Sequence, residues 1–174
     1  MTGRDFVKAL TNAKTDVLHI LLDILRDLAT PYCVIDDMAV NAYVEPVVSL
    51  DLDIVAGADD VAQAAETAVS HSMKRENFEH SVNLSSSECD LRIQLQRDPR
   101  YQPFVARAVE RDVLGYRMRV AALEDVLQGK AWAYLDEQRR KSKRQKDLAD
   151  ILRLVEAYPE LAETLPDDIR QLAE

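Results

Sequence analysis

Apolar residues at Val17, Ile20, Leu21, Ile24, Leu25 and Leu28 recur with the period of one helical face, and the stripe stops before Pro31. A helix is therefore predicted over 16–29, with a shorter one over 3–12. The period then changes to two. Strands are predicted over 32–36 and 48–56, on either side of a short helix over 38–45. In the second strand, alternation puts Leu50, Leu52 and Ile54 on one face and Asp51, Asp53 and Val55 on the other. An Ala-rich helix over 58–71 begins near Asp59 and Asp60, acids that suit a helix N-terminus. Residues 77–95 read as a two-strand element turning at Ser85-Ser86-Ser87. Its second strand points Cys89, Leu91, Ile93 and Leu95 inward and Asp90, Arg92 and Gln94 outward. A short helix over 100–108, an extended segment over 111–121 and paired helices over 122–136 and 142–157 follow. Pro159 and Pro166 punctuate a helical tail. These elements predict one α+β domain over 1–174. Its core, about 1–121, is a small mixed sheet with helices on one side, and about 122–174 form a helical C-terminal portion.

Composition narrows the function classes. The hydrophobic fraction of 47% and the charged fraction of 30% are those of a soluble globular protein. No apolar run approaches the roughly 20 residues that span a bilayer, and MTGRDFVKAL lacks a signal-peptide core, so a cytoplasmic location is expected. A net charge of −9 argues against broad, nonspecific binding to nucleic acid. That charge is uneven, because RRKSKRQK at 139–146 holds six basic residues in eight. The run reads either as a solvated helix start or as an electropositive lip for the phosphates of a nucleotide or an RNA end. Cys33 and Cys89 sit in apolar strand patterns without metal-ligand spacing and read as reduced core residues.

Two aspartates in one hydrophobic strand need a reason, since strands are poor in Asp. Asp51 and Asp53 project from one face, two residues apart, as a cradle for a hard divalent cation such as Mg²⁺. With a bound nucleotide, such a cradle is the core of nucleotidyl-transfer chemistry.

At these residues the chain resembles the nucleotidyltransferase superfamily, whose signature is a Gly-Gly or Gly-Ser turn, a short spacer and then Asp-x-Asp. It is most similar to the branch of abortive-infection nucleotidyltransferase toxins and related small proteins. The resemblance is carried by Ala39-Val40-Asn41-Ala42, by Glu45-Pro46, and by Ser49-Leu50-Asp51-Leu52-Asp53-Ile54-Val55. It continues through Asp90-Leu91-Arg92-Ile93, through Leu123-Glu124-Asp125-Val126-Leu127 with Lys130, and through Lys146-Asp147 with Asp150. It implies a nucleotidyltransferase-like mixed β-sheet flanked by helices. It also implies that Asp51, Asp53 and Asp90 are catalytic and hold Mg²⁺ (or Mn²⁺), with an NTP as substrate. Asp36, Asp37, Lys130, Lys146 and Asp150 would lie near the nucleotide. An antitoxin is implied as a possible partner.

Asp36-Asp37 departs from that signature, standing where the superfamily has its glycine turn. Bare carboxylates there would oppose a triphosphate, each like-charge contact near 4 Å costing about 4 kcal/mol at an effective dielectric of 20. Two functional readings therefore stand. One is a nucleotidyltransferase that moves a nucleoside monophosphate from an NTP to a hydroxyl of a protein, RNA or small molecule. The other is a catalytically degenerate domain of the same fold that binds a partner within a toxin–antitoxin pair. Lys130 lies on or beside its helix's packed stripe, so it must snorkel, touch a phosphate, or meet Asp147 or Asp150. Lys146 and Asp150, at i and i+4, read also as a surface ion pair. His19, His71 and His80 are scattered, with no acid or metal partner at useful spacing, and Trp132 and the tyrosines are too dispersed to form a stacking platform.

Overall fold

A computed structural model describes residues 1–173. The first elements follow from capping and stripe. Helix α1 (Gly3–Leu10) opens on a capping box between Thr2 and Asp5, and α2 (Val17–Asp27) opens on Asp16, whose side chain accepts from the amide of His19. Val17, Leu18, Leu21, Ile24 and Leu25 form the buried face of α2. Strand β1 (Tyr32–Ile35) runs directly into α3 (Asp36–Val40), and β2 (Asp51–Ala56) and α4 (Ala58–Ser70) follow. Next come β3 (Lys74–Asn77), β4 (Ser81–Ser86) and β5 (Cys89–Gln96), then α5 (Gln102–Arg107). The chain closes with β6 (Val109–Val113), β7 (Tyr116–Val120), α6 (Leu123–Leu135), α7 (Lys141–Ala157) and α8 (Asp167–Ala173).

The seven strands form one mixed sheet in the order β3-β4-β5-β2-β1-β7-β6. Strand β2 is antiparallel to β1 and parallel to β5, while β1 is parallel to β7. Register places Asp53 opposite Gln94, Gln94 opposite Asn83 and Asn83 opposite Glu76, a polar row across four strands. Asp51 faces Arg92 in a neighbouring row. The other face of the same strands carries Leu52, Ile54, Val82, Leu91, Ile93 and Leu95, all buried.

Three sequence-based expectations are corrected here. Helices cover both faces of the sheet. The face that carries Asp51 and Asp53 also carries Cys33, Ile35 and Val55, all buried. There, a small cavity bounded by Ile35, Asp53 and Gln96 from the sheet and by Phe104, Val126 and Gly129 from α5 and α6 places those helices over the face. The two-strand element is a three-strand meander, because β3 adds an edge strand. Its sequence, Lys-Arg-Glu-Asn, is exposed throughout and has no apolar alternation, the charged composition that keeps a sheet edge from pairing further. The extended segment over 111–121 is the β6–β7 hairpin, turning at Leu114 (φ +53°) and Gly115 (φ +83°). Two consecutive positive φ values suit the twist of a tight hairpin.

Candidate active site

The junction of β1 with α3 brings Asp36 and Asp37 beside Asp51 and Asp53. Asp36 has φ +60°, in the left-handed region. A side chain with a Cβ costs about 1–2 kcal/mol there, and glycine or a short polar residue bears it best. The chain thus keeps the backbone turn that a glycine would serve, with an aspartate in its place.

The two carboxylates are not bare. Lys130, on α6 and only 1% exposed, contacts Asp36 Oδ1 and lies 2.6 Å from Asp37 Oδ1, 3.3 Å from Asp147 Oδ1 and 2.9 Å from Asp150 Oδ2. Three ammonium protons cannot serve four acids, and further cations complete the cluster. Lys146 contacts Asp37 Oδ2, Arg139 reaches Asp147 at 2.6 Å and Arg153 reaches Asp150 at 2.8 Å. Burial works against the Lys130 ammonium, but Asp36, Asp37 and Asp150 outweigh it and hold its pKa well above the ordinary lysine value. Burial likewise opposes the charge of Asp37, yet Lys130 and Lys146 pull its carboxyl far below the usual range. For Asp36 the balance reverses. Burial, with Asp37 as a like-charged neighbour, raises its pKa despite Lys130.

This geometry corrects several expectations. The charge of Asp37 is tied to two lysines, so the bare repulsion of a triphosphate does not apply to it. Lys130 lies beneath the cleft and is absent from its lining, which leaves it no phosphate contact. Of the alternatives open for it, it meets Asp147 and Asp150. Lys146 turns to Asp37, and Asp150 takes Lys130 and Arg153, in place of a surface pair between the two.

Asp51 and Asp53 stand at the floor of a cleft of about 720 Å³. Arg92 grips Asp51 with both arms of its fork, Nε to Oδ1 at 2.6 Å and Nη2 to Oδ2 at 3.2 Å. Among the described residues, no protein group donates a hydrogen bond to the carboxylate of Asp53. Burial, reinforced by Asp36, Asp51 and Asp37, pushes its pKa well above the carboxylate range. One cleft wall carries Lys74, Arg75 and Arg92, and the other carries Arg139, Lys143 and Lys146. Six basic side chains therefore line the cleft against five acidic ones, in a chain whose net charge is −9. Of the two readings of the 139–146 run, the lip describes these three residues.

Asp90 does not join the group. It lies on the same sheet face as Asp51, but one step beyond Arg92 along that face of β5, and it is absent from the cleft lining. Two residues of strand displace it by about 7 Å. It is exposed, and its carboxylate accepts a hydrogen bond from Asn12 at 2.6 Å. A three-carboxylate site is thus not formed, and among the described residues no group of three or more His, Cys, Asp or Glu is arranged to hold a metal ion. The pair Asp51 and Asp53 still fits a hard divalent cation. An unpartnered carboxylate among like charges is stabilised by one, with phosphate and water oxygens completing the shell.

The aromatic residues correct a further expectation. Tyr101, Phe104 and Trp132 gather between α5 and α6 with ring centroids 5.6 Å apart, Phe104 and Trp132 being stacked. Tyr101 and Phe104 border a cavity of about 120 Å³ that also touches Asp36 and Asp53. Their separation in sequence, 101 to 132, hides that meeting. Both cysteines are buried and free, and burial pushes the Cys33 thiol up to about 12, as expected of a core residue. His19 does have an acid partner, Asp23 at 3.2 Å, on a half-exposed helix surface.

This cleft belongs to a nucleotidyltransferase fold. The antibiotic-resistance factor ANT(2'')-Ia superposes with a TM-score of 0.56 at 11% identity, over 90% of this chain and 86% of that one. The lincosamide antibiotic adenylyltransferase LnuA, with lincomycin bound, gives 0.57 at 11% identity over 80% and 96%. A nucleotidyltransferase-like protein from Paracoccidioides brasiliensis gives 0.56 at 15% identity over 89% and 90%. Within that class, the chain belongs to the family described as nucleotidyl transferase AbiEii toxin, Type IV TA system, which matches residues 51–174. The match starts at Asp51, so the aspartate turn lies outside it. No curated protein matches the chain.

The turn can be tested directly. Asp36→Gly with Asp37→Ser relaxes the backbone at residue 36 and releases Lys146, which already lines the cleft, from its carboxylate partner, while Asp147 and Asp150 still pair Lys130. ATP or GTP affinity is expected to be weak in the wild type and to rise about tenfold in the variant, a change of about 1.4 kcal/mol, and more for triphosphates than for nucleosides. Calorimetric titrations without a gain for the triphosphate would contradict this.

Proposed function

We propose that the protein transfers a nucleoside monophosphate from an NTP to a hydroxyl of a protein, RNA or small-molecule acceptor. Mg²⁺ or Mn²⁺ would be held by Asp51 and Asp53. The observation that carries this reading is the unpartnered carboxylate of Asp53 beside Asp51, on the floor of a cleft with basic side chains on both walls. A bound ion would supply Lewis-acid stabilisation of the attacked α-phosphate. Lys143, Lys146 and Arg139 present cations to the triphosphate. Lys130 and Asp150 act at one remove, fixing Asp36, Asp37 and the join of α3 to α6 and α7. Asp90 takes no part. The activities for which an adenylyltransferase neighbour and the family are named support this class of chemistry. The family's setting supports an antitoxin as partner. No helix among the described residues is long and apolar enough to cross a membrane.

A second reading is favoured by two observations. Asp90 does not join Asp51 and Asp53 in the cleft, and an aspartate turn stands where a glycine turn is expected. A degenerate domain that only binds its antitoxin partner would look the same. Calorimetry with Mn²⁺ and a non-hydrolysable NTP analogue separates the two. Binding by the wild type that is lost in Asp51→Asn with Asp53→Asn supports the enzyme, and equal absence of binding in both supports the degenerate domain.

Lys74 and Arg75 lie on the wall opposite α7, which leaves cationic groups for an acceptor after the nucleotide has engaged Lys143 and Lys146. Lys74→Gln, Arg75→Gln and Lys143→Gln together should weaken binding of a single-stranded RNA end. The slope of log affinity against log salt should flatten by about 0.7 for each RNA phosphate that is no longer neutralised. An unchanged slope would assign these residues to a solvated rim.

A further inference from the structure

Pairing of β2 with β5 sets Arg92 opposite Asp51, and its fork occupies both oxygens of that carboxylate. Asp53, one step along the same face, is left free. The site therefore offers an arriving cation one open carboxylate and one capped by a guanidinium. Arg92 is 67% exposed and Asp51 31%, so the pair is open to solvent, where such bonds are weak and reversible. A guanidinium cannot stay on a carboxylate that also binds a divalent ion without facing that ion's charge. Its planar fork suits phosphate oxygens as well as it suits a carboxylate.

We propose that Arg92 is a positioning residue that exchanges partners. Without nucleotide it caps Asp51 and weakens the binding of divalent cations alone. When the metal and nucleotide arrive together, Arg92 moves to a phosphate and releases Asp51 to the ion. Metal and nucleotide then bind cooperatively, and by linkage each raises the affinity for the other by the same factor. This inference rests on the assignment of Asp51 and Asp53 as the cation cradle.

The test is Mn²⁺ binding followed by electron paramagnetic resonance, with and without an α,β-methylene NTP analogue, for the wild type, Arg92→Gln and Asp53→Asn. The wild type should bind Mn²⁺ weakly alone and more tightly with the analogue. Arg92→Gln should bind Mn²⁺ alone about two- to fivefold more tightly, the range an exposed ion pair supports, and should lose most of the enhancement by nucleotide. Arg92→Gln with unchanged or weaker Mn²⁺ binding alone would overturn the proposal, provided Asp53→Asn abolishes binding in the same assay. No Mn²⁺ binding by any of the three, with or without analogue, would instead overturn the cradle itself and this inference with it. Coincident thermal melts of wild type and Arg92→Gln check that the exposed substitution leaves the fold intact.

Discussion

Replacing Lys130 with methionine is expected to destabilise the protein by about 3–5 kcal/mol, the cost of leaving buried carboxylates without their cation. Lys130, on α6, is 1% exposed and holds Asp36 and Asp37 of α3 and Asp147 and Asp150 of α7, so no solvent is at hand to replace it. For a chain of this size that loss lowers the melting temperature by on the order of 10 °C. Lys146→Gln is the control. Lys146 touches the same Asp37 but is 39% exposed, and its loss should cost no more than about 1 kcal/mol. Urea unfolding of the two variants separates the cases. Equal, small effects would show that the cluster does not hold α3 against α6 and α7.

Asp53→Asn should produce two changes of opposite sign. The folded state raises the pKa of Asp53, first by burial and then by Asp36, Asp51 and Asp37. Between the unfolded and folded pKa values the folded chain therefore binds more protons than the unfolded chain. The stability contributed by protonated Asp53 is present at low pH and is lost as pH rises through the folded value. At neutral pH the ionised group opposes folding, and asparagine removes that opposition. The metal-free variant should melt at a higher temperature than the wild type at pH 7, with a flatter pH dependence in the acid range. Mn²⁺ affinity should fall by at least about 100-fold, the upper end of what loss of a mere supporting partner costs a metal site. Thermal melts at several pH values and Mn²⁺ titration read the two effects. A variant that melts lower and still binds Mn²⁺ would contradict the placement of Asp53.

The sequence pattern showed where the site would be more fully than how it is completed. The stripe of α2 and the alternation of β2 follow local periods, so both elements and the shared face of Asp51 and Asp53 were legible. Strand β3 was not, because an edge strand wet on both faces has no apolar alternation to detect. The β6–β7 hairpin was missed because Leu114-Gly115 lacks the Asn-Gly or Asp-Gly pair that signals such turns. Asp90 was assigned to the right strand and face, but the register of β5 against β2 sets Arg92 beside Asp51, and register is a long-range property. The Lys130 cluster was half legible. Its position on a packed stripe leaves snorkelling, a phosphate contact or a partner at Asp147 or Asp150, and the last of these is formed. That the aspartate turn also closes on Lys130 follows only from the packing of α3 against α6 and α7.

The central claim is transfer of a nucleoside monophosphate from the Asp51–Asp53 cleft. The direct measurement incubates the purified protein and Mg²⁺ or Mn²⁺ with each NTP, labelled at either the α- or the γ-phosphate, in the presence of total cellular RNA, protein and metabolite fractions. The account predicts that one fraction takes up α-label but not γ-label, that pyrophosphate is released with it, and that both signals vanish for Asp53→Asn. Absence of α-label transfer to every fraction by a folded wild-type protein, or transfer undiminished in Asp53→Asn, would contradict it.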